Sequence, residues 1–74
     1  MKSKYVVLCE SSYDVTNGHS SYSQVKTFKN EPEAKAFIID PKNLRRYGEL
    51  FLEWYCSDGK RYYWDSGKQE WIAK

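Results

Sequence analysis

The sequence predicts an α+β fold: a small antiparallel β-sheet of four to five strands with one main helix packed on one face, in the order β-β-α-β-β-β. Three observations predict it. The hairpin dipeptides Asn17-Gly18 and Asp58-Gly59 each stand between segments rich in aromatic and β-branched residues. A helix-start pattern, Asn30-Glu31-Pro32-Glu33, separates the two hairpins. Period-two alternation runs from Glu49 to Ser57.

Tyr5 to Glu10 is aliphatic and β-branched on both parities, which reads as a strand with both faces at least partly covered. Ser11 to Ser21 is polar and holds the Asn17-Gly18 turn. With a two-residue turn there, Tyr13 is expected opposite Tyr22, Val7 opposite Phe28 and Leu8 opposite Thr27. Such aromatic and β-branched pairs stabilise a sheet by roughly 0.2–1 kcal/mol each.

Asn30 is the expected N-cap, with Glu33 at the reciprocal capping position and Pro32 in the tolerant first turn. Glu31 and Glu33 complement the helix dipole. Ala34, Phe37 and Ile38 share one face. Pro41 disfavours helical geometry at Asp40, so the helix should end near Ile39. Asp40-Pro41 then starts a second short turn, Lys42 to Tyr47, closed by Gly48.

In the next strand Leu50, Leu52, Trp54 and Cys56 point one way, and Phe51, Glu53, Tyr55 and Ser57 the other. A two-residue Asp58-Gly59 turn sets Tyr55 opposite Tyr62, Trp54 opposite Tyr63 and Glu53 opposite Trp64. Asp65-Ser66-Gly67-Lys68 is a third turn leading into Gln69 to Ala73. Its loop length leaves the face of Trp71 open.

The 74 residues suffice for a single domain, 1–74. A chain this short buries only about 60% of its unfolded surface. Three Trp, seven Tyr and three Phe offset that thin core. The apolar run Tyr5 to Cys9 is too short for a signal segment or a membrane span, so a cytoplasmic protein is expected. There Cys9 and Cys56 are expected as small hydrophobes rather than a disulfide. The formal net charge of +2 is modest for a nucleic-acid binder.

Nothing in the sequence carries catalysis. The one histidine, His19, sits beside the Asn-Gly turn. Cys9, Cys56 and His19 offer at most three zinc ligands, without C-x-x-C spacing. Glu53 and Asp65 could approach across the hairpin, an arrangement that reads as surface charge balance. The expectation is a non-enzyme with no metal and no cofactor.

The segment Phe51 to Trp71 holds seven of the thirteen aromatics and all three Trp. A single short helix covers one sheet face, so one aromatic face should stay in water. In the expected register that face is Phe51, Tyr55, Tyr62 and Trp64, with Lys60 and Arg61 on the rim. Tyr and Trp are the residues that anchor interfaces. A protein-binding module is therefore expected. The alternative is a single-stranded nucleic-acid binder stacking bases on the same rings, with Lys42, Arg45 and Arg46 as added cations. Glu49, Glu53, Asp58, Asp65 and Glu70 dilute any positive field, which favours protein. A homodimer through the rings or a sheet edge is the third expectation.

The stretch Trp54-Tyr55, Gly59-Lys60-Arg61-Tyr62-Tyr63-Trp64-Asp65 and Trp71 resembles the aromatic hairpins of WW-type modules. Proline-rich ligand binding is not carried over, because the helix and the first hairpin have no counterpart in that family. In size and style the chain is similar to small phage-encoded host-takeover proteins, anti-CRISPR inhibitors among them. That resemblance implies a stoichiometric inhibitor or adaptor acting by steric occlusion.

Overall fold

A computed structural model describes residues 3–74. The elements are β1 (Lys4–Asp14), β2 (His19–Phe28), α1 (Glu31–Ile39), α2 (Pro41–Tyr47), β3 (Leu50–Tyr55), β4 (Arg61–Asp65) and β5 (Glu70–Ala73). All sheet pairings are antiparallel, in the spatial order β2-β1-β3-β4-β5. β2 and β3 therefore run in the same direction on either side of β1. No hairpin can join such strands, so the connection must cross over, and α1 and α2 form that crossover. The class is α+β as expected, with two short helices in place of one main helix.

The helix signals act as the sequence implies. Asn30 Oδ1 accepts from the Glu33 amide at 3.0 Å, and α1 ends at Ile39. Asp40 Oδ1 caps α2 by accepting from the Lys42 amide at 2.9 Å. Gly48 closes α2 at φ +79°, a backbone state that a side chain would strain.

Both hairpin registers differ from expectation. In the first, Tyr13 pairs with Ser20, Val7 with Lys26 and Leu8 with Gln24. The loop is the four residues 15–18 rather than Asn17-Gly18 alone, and it shifts the pairing. Two bulges on opposite strands then offset each other: the extra Ser11 shifts the pairing one residue further and the extra Val25 shifts it back.

The second hairpin matters more. Trp54 pairs with Tyr62 and Glu53 with Tyr63, not with Tyr63 and Trp64. The loop is Ser57-Asp58-Gly59: the Cys56 amide donates to the Lys60 carbonyl at 2.8 Å, and Gly59 sits at φ +90°. One added loop residue slips the register by one, and a slip by one exchanges the faces of every side chain on β4.

The core lies between the sheet and α1. Val7, Ala34, Ile38, Leu50 and Leu52 are buried, with Tyr5, Phe28, Phe37, Tyr47, Trp64 and Trp71 packed around them. Leu50 and Leu52 take the inward face expected of them. Trp71 falls opposite Trp64 and on the same side. Cys9 and Cys56 are both free and half-buried.

Candidate functional site

The slip divides the four rings expected on one surface. Tyr62 and Trp64 lie on the helix side. Tyr62 stacks on Trp54 at 5.1 Å between ring centres, and Trp64 meets Trp71 at 5.2 Å. Lys35 of α1 places its ammonium 3.9 Å from the centre of the Trp64 ring. These rings belong to an internal aromatic cluster that also includes Tyr5. Phe51 and Tyr55 do lie on the opposite, helix-free face.

That open face gains two rings the sequence reading missed. Tyr63 stands opposite Glu53, where Trp64 was expected, and Tyr22 meets Phe51 edge-on at 5.3 Å. Both are well exposed, Tyr22 at 52% and Tyr63 at 42%. With Leu8, Phe51, Glu53 and Lys74 they line a shallow groove of about 250 Å³, whose lining also includes Leu52 and the expected site residue Trp64. Allowing a bulged three-residue loop at Asp58-Gly59 would have revealed Tyr63. Tyr22 was hidden by the bulges, which the sequence does not mark.

Read across the strands, the open face consists of rows set by the register. One row is Lys4, Tyr55 and Arg61, extended by Lys74, whose amide donates to the Arg61 carbonyl at 3.1 Å. The next is Val6, Glu53, Tyr63 and Ile72. Leu8 and Phe51 follow, with Asp65 and Glu70 level with them on β4 and β5, and beyond lies Glu10 beside Tyr22. One end of the face is therefore cationic, the middle largely apolar and the other end acidic. Antiparallel pairing causes this, because it brings the starts of β1 and β4 beside the end of β5.

Glu53 is the buried charged residue of the face, its side chain 12% exposed. Lys74 forms an ion pair with Oε2, and the Tyr55 hydroxyl donates to Oε1 at 3.1 Å. A carboxylate placed there would be costly without these partners. The Tyr55 ring also has Lys4 at 5.2 Å and Arg61 at 5.6 Å from its centre.

The remaining expected contacts are dispersed. Lys60 is exposed in the β3–β4 loop, where its amide donates to Asp58 at 3.0 Å. Lys42, Arg45 and Arg46 are exposed on α2. That helix is tied to α1 by Asn43 Nδ2 donating to the Phe37 carbonyl, and its Tyr47 joins the helix-side core. These cations do not flank the open-face rings. Partial burial, then the Asp58 charge, pushes the Cys56 thiol above its ordinary value. That opposes thiolate formation.

Among the described residues no group of three or more His, Cys, Asp or Glu is placed to hold a metal ion. No helix among them is long and apolar enough to cross a membrane. Comparison with family models, with curated proteins and with solved structures found no match to this chain.

Proposed function

We propose that this chain is a non-catalytic protein-binding module whose open sheet face docks another protein. It would act as a stoichiometric inhibitor or adaptor, by covering a surface of its partner. The observation that carries this reading is the pair of exposed rings, Tyr22 and Tyr63, beside the Phe51 groove on a face that neither helix covers. Aromatic anchors around a shallow groove are what protein interfaces use. Phe51, Tyr55 and Arg61 keep the role expected of them, and Tyr22 and Tyr63 replace Tyr62 and Trp64.

Charge favours protein over single-stranded nucleic acid. A polyanion calls for cations along the whole binding surface. Here the open face carries Glu10, Glu53, Asp65 and Glu70 as well as Lys4, Arg61 and Lys74. The Tyr55 ring already has two cations against it, so it offers little free surface for a base.

The test is affinity capture from lysate with wild type and with a Tyr22→Ala/Tyr63→Ala variant, each with and without nuclease. The expected result is a nuclease-resistant protein held by wild type and lost with the variant. Binding that disappears on nuclease treatment would assign the face to nucleic acid instead. Equal capture by both chains would place the interface elsewhere.

A further inference from the structure

The order of charge on the open face identifies one partner whose surface is known: a second copy of this chain. We propose that two copies dock open face to open face about a two-fold axis running across the strands, along the Val6–Glu53–Tyr63–Ile72 row. This rests on reading the open face as the docking surface.

Such an axis reverses the strand direction of the second copy. The residues two before and two after the central row then exchange places. Arg61 comes over the second copy's Asp65, and Lys74 over its Glu70, because these residues bracket Tyr63 and Ile72 on the same strands. The cationic end of each copy meets the acidic end of the other, twice, as a closed two-fold interface requires. Tyr63 meets its own symmetry mate at the centre. Each central Glu53 already carries Lys74 and the Tyr55 hydroxyl, so two bare carboxylates do not meet.

Other routes to self-association are blunted. The β2 edge is interrupted by the bulge at Val25, and β5 at the other edge has only four residues. Bulged and short edges disfavour strand addition. The face is left as the surface to cover. Strands about 4.8 Å apart and about 20 Å long give it roughly 500 Å² per copy. A standard interface buries roughly 800 Å² per partner, so the contact should be weak and concentration-dependent. Opposed charges across a face set orientation and register, and their contribution weakens with salt.

The test is sedimentation equilibrium of the full chain from about 10 μM to 1 mM, a span that covers weak association. In low salt the mass should rise from 8.8 kDa toward twice that value. In about 0.5 M salt, where screening is strong, the rise should shift to higher concentration. Two charge-reversed chains, Arg61→Glu and Asp65→Lys, should each associate at least tenfold more weakly than wild type, because like charges then meet at both symmetry-related contacts. Mixed in equal amounts they should recover a dimer, since the reversed position of one chain meets the reversed position of the other while Asp65 of the first meets Arg61 of the second.

A wild-type monomer at 1 mM, or a mixture that stays monomeric, overturns the second-copy proposal. Reversed chains that associate like wild type also overturn it. If the monomer still captures a protein in a Tyr63-dependent way, the docking reading stands and only the second copy falls. If it does neither, both fall.

Discussion

Trp71 Nε1 donates a 2.6 Å hydrogen bond to Glu31 Oε1, joining the last strand to the first turn of α1 across 40 residues of sequence. The same carboxylate oxygen lies 3.4 Å from Lys35 Nζ. One residue near the end of the chain thus fixes how the helix sits on β4 and β5. Trp71→Phe keeps most of the ring packing and removes the donor. Its expected cost is roughly 1–2 kcal/mol, the range for a hydrogen bond to a charged group that is partly in water. Urea denaturation reads it directly, and an unchanged midpoint would show that the bond contributes nothing.

The two faces of the sheet should respond differently to truncation. Leu52 is 1% exposed in the helix-side core, so Leu52→Ala should cost roughly 2–5 kcal/mol. Tyr62→Ala should also lower stability, because the ring stacks on Trp54. Tyr63→Ala, on the open face, should cost little stability but weaken partner binding by roughly 2 kcal/mol. Thermal melts and a binding isotherm on the same three variants separate the effects. A Tyr62 variant that is fully stable but does not bind would return that ring to the docking surface.

The Ser57-Asp58-Gly59 loop decides which rings face the helix. A loop that keeps its three-residue form after deletion of Ser57 becomes Cys56-Asp58-Gly59 and slips β4 by one, whereas a two-residue Asp-Gly turn between Cys56 and Lys60 would keep the present pairing. With the slip, Trp64 would leave the core and Tyr63 would enter it. The expected result is loss of cooperative unfolding and of dispersed amide resonances. A deletion variant that melts sharply near the wild-type temperature would show that the loop does not set the register.

Alkaline pH should destabilise the fold through Tyr5. Burial, then the charges of Glu31 and Cys56, holds its phenol above the ordinary value of 10.0. The folded chain keeps that proton where the unfolded chain has already lost it. The stabilisation is complete below the unfolded value and is lost as pH rises through the folded one. Urea midpoints of wild type should therefore fall more steeply above about pH 10 than those of Tyr5→Phe. Parallel curves for the two chains would count against it.

Much of the fold is legible in the sequence because its signals are local. Asn30, Pro32, Asp40-Pro41 and Gly48 set the ends of the helices through hydrogen bonds and sterics within a few residues. Leu50 and Leu52 announce their inward face by alternation. The candidate site was read only in part. Phe51 and Tyr55 follow from β3 alone, whereas Tyr62 and Trp64 were assigned through a turn taken to be one residue shorter than it is. Asp58-Gly59 signals a hairpin equally well at two or three residues, because in both a glycine adopts positive φ.

By itself, then, the sequence determined the elements, their ends and the inward face of β3, all of which depend on neighbours along the chain. The tertiary structure alone decided the strand order, the faces of β4 and β5, and the sorting of charge into a cationic and an acidic end. Lys4, Arg61 and Lys74 are scattered through the sequence. They become neighbours only when antiparallel strands pair, and a difference of one loop residue changes which side chains share a face.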